Sequence, residues 1–547
     1  MTLQQCFKLL RFSLVLLALW KCQLRATADD ASVNIEVIGV YRDADVAFVR
    51  DALKALLPDD VDEYFWSASG NRFKYEASPV DDVAALATKI HFGRSVHVNG
   101  RRIRVIYRYD NNVPELPPRE PKSYEERIED PLGPALEKHD NDWWAALTEL
   151  RFTRQRNKQG EITRLDLPSF KTTDETLARI ARLKSLHYLK LTLARHVTDD
   201  GARHLAGLTN LETLQLFGSS IGNPGQKHLS NLTKLKWLSL SGKGTEHGLR
   251  HIANLTNLES LSVGFGLGYP VTIVGLKHLR KLKNLKNLRL DGCEISDAGL
   301  QVIAEFPRLE SLRVTGGTMT GTGLAHLSHL KQLQRLELGQ SSNVGDDGAA
   351  HLASLPSLTF LDLSETAITD IGVSDLESLT KLTYLDLDGT QVTDRSLKYL
   401  QPLKQLYNLS LSEAAITTAG VELLRPLSNL KYLDLSHTAI ADEALEHLQS
   451  FPKLKRLSLS GTNITDAGVK HISTLPQLES LSIDGTQVTN AGLTHLSGMT
   501  KLSTLDISNT SVTAEGLEHL SALKKLYDIR YRDTGITREA LQEFRKR

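Results

Sequence analysis

A chain of 547 residues is too long for one compact core, so several domains or a repeat array are expected before any motif is read. Lys plus Arg and Asp plus Glu number 65 each, which leaves no overall field to draw nucleic acid or an anionic membrane surface. Nucleic acid is therefore not expected as a partner.

The chain opens with Lys8 and Arg11, the apolar run Phe12 to Trp20 and the small-residue triplet Ala26-Thr27-Ala28. That order predicts a signal peptide over 1–28, export to the periplasm, cell envelope or medium, and no stable membrane span once it is cleaved. Cys6 and Cys22 fall inside the removed segment, so Cys293 stands alone in the mature chain and stability has to come from packing. The absence of disulfide-bonded end caps points to a bacterial protein.

Residues 29–112 read as a small α+β domain. Its expected elements are a strand at 34–41, a helix at 45–57, strands at 64–68 and 73–77, a helix at 81–90 and a strand at 96–108, a βαββαβ order that suggests a ferredoxin-like sandwich. Residues 113–142 carry Pro114, Pro117, Pro118, Pro121, Pro131 and Pro134 among many charges, the composition of an extended linker. Trp143, Trp144, Leu147 and Leu150 then form an amphipathic helix within an amino-terminal cap, 143–161.

From residue 162 the pattern Leu-x-x-Leu-x-Leu recurs in sixteen units, mostly 24 residues apart, starting at Ile162 and last at Leu526. In one unit, Leu457 and Leu459 alternate on a short strand, Thr465 or Asp466 caps a helix, and Val469, Ile472 and Leu475 return an apolar stripe. Neither face buries itself within one unit. Stacking buries both, so the solenoid over 162–537 is expected to be α/β, with a parallel concave sheet, convex helices and a charged helical cap at 538–547.

This period and motif resemble the leucine-rich repeat. Runs such as Leu361-Asp-Leu-Ser-Glu-Thr-Ala-Ile368, repeated from Leu457 and Leu481, are similar to the cysteine-containing and ribonuclease-inhibitor-like subclasses, to Thr-rich planctomycete-type repeat proteins and to the arrays of F-box receptors. In those subclasses an Asn or Cys after the strand bonds the turn backbone inside the stack. Here Thr366, Thr390, Thr438, Thr462, Thr486, Thr510 and Thr534 take that position, and Cys293 once. The resemblance implies protein recognition on the concave face or rims. The small domain's order is similar to heavy-metal-associated and acylphosphatase-like domains, but no Cys lies between 29 and 292 to bind a metal there, and Arg42 reads as solvated surface.

Strand positions that alternate with Leu face outward. Phe360, Tyr384 and Tyr432 fall at such positions beside Asp362, Asp386, Asp388 and Asp434, and Arg289, Arg313 and Arg335 are expected to make a basic patch. Aromatic and Arg anchors suit a protein interface, so these ten residues form the expected ligand-binding surface. One unit has 27 residues in place of 24, its surplus around Gly268-Tyr269-Pro270, which makes Tyr269 a candidate on a rim loop. His204, His228, His251, His278, His326, His351, His447, His471, His495 and His519 share one repeat position on the helices and read as half-buried packing residues rather than metal ligands.

No nucleophile-base pair, phosphate loop or zinc motif stands out, so no catalytic residue, cofactor or metal site is assigned. The expected function is binding of a protein partner, with a cell-surface glycan as a second ligand class. Three other readings stay open: an F-box-like substrate receptor, an enzyme whose small amino-terminal domain acts on a substrate selected by the repeats, and a structural envelope component.

Overall fold

The computed structural model describes five strands between residues 33 and 106, and residues 132–546 apart from 168–171, 241–245, 265–270 and 294. The export segment, the helices expected at 45–57 and 81–90, Arg42 and the Gly268-Tyr269-Pro270 insertion lie outside the described residues.

The amino-terminal strands form one mixed sheet in the order 62–67, 72–78, 33–38, 102–106, 95–99. Val33–Ile38 runs antiparallel to Arg72–Ser78 and parallel to Arg102–Ile106. The stretch read as a single strand, 96–108, is two antiparallel strands, Ser95–Asn99 and Arg102–Ile106. Gly100-Arg101, a Gly-x pair of the kind that suits a two-residue hairpin, falls between Asn99 and Arg102 and is the signal that reading passed over.

Leu132–Lys138, assigned to the linker from its composition, is a helix whose Leu132, Ala135 and Leu136 are buried. Pro134 is tolerated there because the first helical turn needs no amide donor. The next helix, Trp143–Glu149, starts at Asp142, which accepts hydrogen bonds from the Trp144 and Ala145 amides. Trp143 packs on the core and Trp144 lies against the Arg154 and Arg156 guanidiniums, each 4.5 Å from its ring, so the Trp pair belongs to the cap. Thr153–Arg156 pairs antiparallel with the first repeat strand, Ile162–Leu167, and covers what would otherwise be an open sheet edge.

With that strand the solenoid sheet has 17 members, and every pairing after the first is parallel, to Asp528–Arg530. Each strand bonds to those one unit before and after it: Leu457 stands in register with Leu433 and Leu481. The Leu positions point inward and are buried, and the positions between them are mostly half-buried. At the far end Leu541 is buried and Phe544 packs on the core, which makes Arg538–Lys546 the closing helix.

One hydrogen-bonded ladder braces the turn inside each unit, and a second ties neighbouring units together. Inside the stack, the hydroxyls of Thr366, Thr390, Thr438, Thr462 and Thr486 each donate to the carbonyl three residues earlier at 2.6 Å, the role the sequence pattern assigned to them. On the helical side, Thr465 caps its own helix by accepting from the Ala467 amide. Asp466 instead reaches into the next unit, where its carboxylate accepts from the Thr489 amide and hydroxyl, both at 2.7 Å. Asp346, Asp370, Asp394 and Asp442 make the same bonds to Thr369, Thr393, Thr417 and Thr465. Each carboxylate thereby satisfies a helix-start donor that its own unit leaves over.

Candidate binding face

The outward positions of the sheet form two columns. Cross-strand register places Arg335, Phe360, Tyr384, Asn408, Tyr432 and Arg456 in the first, and Glu337, Asp362, Asp386, Ser410, Asp434 and Ser458 in the second. Adjacent strands lie about 4.8 Å apart, so flat side chains in one column have to stack. Phe360 and Tyr384 do so, with ring centroids 3.8 Å apart and planes 8° from parallel. The Arg335 guanidinium carbon covers the other end of the stack, 3.4 Å from the Phe360 centroid.

Tyr432 is separated from this stack by Asn408, so the three aromatic rings are not one surface. It meets the edge of Tyr407 at 6.2 Å, and Arg456 lies 5.3 Å from its ring. Tyr407, Arg456 and the exposed Trp237 were missed by sequence reasoning. Tyr407 sits just before its strand and Arg456 follows the aromatic run, where a one-dimensional scan has no reason to join them.

The second column is acidic. Asp362 accepts from the Ser364 amide and hydroxyl, Asp386 from the Tyr384 hydroxyl and the Asp388 amide, Asp388 from the Ser412 amide, and Asp434 from the Ser436 amide. None of the four makes an ion pair with a basic side chain among the described residues. Desolvation, together with the charges of Asp388 and Asp362, raises Asp386 to about 8, and desolvation raises Asp388 to about 6. Asp362 is shifted upward mainly by burial, as is the Tyr384 hydroxyl, whose neighbour Asp386 adds to the effect.

The expected basic patch is not one. Arg289 and Arg313 stand in the second column and Arg335 in the first, because Arg335 occupies a strand position two residues earlier. Carboxylates interleave with all three. Arg289 pairs with Asp291; Arg313 pairs with Asp291 at 2.5 Å and with Glu337; Arg335 pairs with Glu337 at 2.6 Å. A charge-alternating network therefore abuts the acidic column. The histidine row lies on the helical side, half-buried or exposed, with burial depressing His251. Among the described residues no group of three or more His, Cys, Asp or Glu side chains is placed to hold a metal, and no helix is long and apolar enough to cross a membrane.

A family model described as a leucine-rich repeat region matches residues 162–420 and 318–546. The chain belongs to the leucine-rich-repeat family. No curated relative matches the sequence. The chain is similar to solved leucine-rich-repeat structures at low identity. An internalin from Listeria monocytogenes is 22% identical, covering 70% of this chain and 93% of that one with a TM-score of 0.39. A leucine-rich-repeat protein of Leptospira interrogans is 21% identical, covering 70% and 97% with a TM-score of 0.44. A plant peptide hormone receptor, RGFR1, in complex with RGF2, is 16% identical, covering 70% and 72% with a TM-score of 0.37. Leucine-rich-repeat proteins are typically protein-interaction modules.

Proposed function

We propose that this is an exported, non-catalytic leucine-rich-repeat protein that binds a cationic segment of a protein partner along the concave face, between Arg335 and Arg456. The observation that carries this reading is the column Asp362, Asp386 and Asp434, with Asp388 beside it. Among the described residues these carboxylates form no ion pair, while Glu337 and Asp291, one and three strands before Asp362, are paired with arginine. Lys or Arg side chains of a partner would supply the missing charge, and the Phe360–Tyr384 stack beside them offers the apolar and π surface on which such side chains lie. Export rests on Lys8, Arg11, Phe12 to Trp20 and Ala26-Thr27-Ala28, and predicts a mature amino terminus at Asp29.

Selection of random peptides displayed on phage against the full chain tests the reading. Enrichment of Lys and Arg, with an association rate that falls as salt is raised and depends less on salt in Asp434→Asn, is the expected result. Selected peptides without basic residues, or with a salt response unchanged in Asp434→Asn, would refute it.

A further inference from the structure

A second feature of the same face lies several strands towards the amino terminus and is built differently. Register brings Trp237 and Ser239 beside Ser260 and Ser262 on one side and beside Thr213 and Gln215 on the other. The next strand adds Asn287 and Arg289. Small side chains thus fill the middle of both columns while Trp237, Gln215 and the Arg289–Arg313 pair stand at the flanks, which leaves a hollow of about 620 Å³. Sites for small ligands commonly span about 300–1,000 Å³.

The walls specify a chemistry. Trp237 is 48% exposed, a large apolar ring left open in a column where Phe360 and Tyr384 are stacked on each other. On the floor Ser239 and Ser262 are 8% and 9% exposed, and the Ser262 hydroxyl has no hydrogen-bond partner among the described residues. That hydroxyl is already unpaired in the free protein, so an apolar ligand gains nothing from it. A ligand bearing hydroxyls would satisfy it.

Charge does not direct the choice, because the charged groups around the hollow are already paired within the protein. Arg289, Arg313 and Arg335 bond to Asp291 and Glu337, Lys236 to Glu212, and Glu259 to Lys286. The fitting ligand is neutral, rich in hydroxyls and apolar on one flat face. A pyranose has that form, with axial C–H bonds on one face and hydroxyls around its rim.

We propose that this hollow binds a neutral saccharide, with Trp237 as the stacking platform and Ser262, Ser239 and Asn287 as hydrogen-bonding groups for its hydroxyls. The site meets the acidic column at Arg335 and Glu337 and does not depend on the cationic-partner reading.

The test is titration of the full chain with neutral trisaccharides of glucose, galactose, mannose and N-acetylglucosamine and with an anionic trisaccharide of galacturonate, read by tryptophan fluorescence and calorimetry. At least one neutral trisaccharide should bind. Trp237→Ala should weaken it about tenfold or more, a loss of about 1.4 kcal/mol. Ser262→Val, which removes the floor hydroxyl, should weaken it as well, while Tyr384→Ala should leave it unchanged. Trp237→Ala should also keep the parent's melting curve, since its ring is half in solvent. Three results would overturn the proposal: no neutral trisaccharide bound at millimolar concentration, which would make the hollow a water-filled notch; equal affinity in Trp237→Ala; or preference for the galacturonate trisaccharide.

Discussion

Thr462 is buried and donates to the Leu459 carbonyl, so replacing its hydroxyl by a methyl keeps the volume and removes the partner. Thr462→Val should lower stability by about 1–3 kcal/mol in urea unfolding, and Thr462→Ser should recover most of it. Cys293, at the matching position, is fully enclosed, and burial pushes its thiol up to about 12. It should resist iodoacetamide at neutral pH until the chain is unfolded, and rapid labelling of the native protein would contradict that burial. Both positions were legible in the sequence, because the repeat frame fixes which residue enters the stack. The acidic column was legible only as composition. Its proton affinity arises because Asp386 has little water around it and has the charges of Asp388 and, in register on the adjacent strand, Asp362 beside it. The folded chain therefore holds protons there more tightly than the unfolded one, and stability should fall as pH rises from about 4 to about 8. Melting temperatures taken across that range should decline more steeply in the parent than in Asp386→Asn, and parallel curves would refute the upward shift. The arginine reading failed for a geometric reason: residues two apart on a strand enter different columns, and a charge list shows neither the column nor the interleaved Asp291 and Glu337.

Between elements, the Asp466 clamp couples one unit's helix to the next, 23 residues on. The sequence offered Thr465 and Asp466 as alternative caps for one helix. The structure gives them different helices, a division that depends on the stacking distance between units and so is not visible in one of them. The clamp also accounts for Gly492, where an added Cβ would lie 2.5 Å from the Asp466 carboxylate. Asp466→Ala should cost about 1–2 kcal/mol, the range of a lost helix cap, and amide exchange should quicken first in the unit that follows. Exchange that rises equally along the whole array would mean that the clamp is not local.

Across the whole molecule, the sixteen-fold recurrence and the cap at each end were readable because a solenoid's long-range contacts are also its periodic ones. The amino-terminal sheet has no repeat to hold its register, and a single strand was read there where the chain makes a hairpin. A net charge of zero likewise hid a segregated face, with a neutralised arginine network, an unpaired acidic column and a serine-floored hollow on one sheet. The central claim is that the acidic-aromatic part of this face takes a cationic partner. Its most direct test is the affinity of a display-selected basic peptide for Tyr384→Ala and for the helical-side control His471→Ala. Tyr384→Ala should lose about 2 kcal/mol of binding and, through the lost stack on Phe360, about 1 kcal/mol of stability, while His471→Ala keeps parental affinity. Parental affinity in Tyr384→Ala would contradict it and move the site off this face.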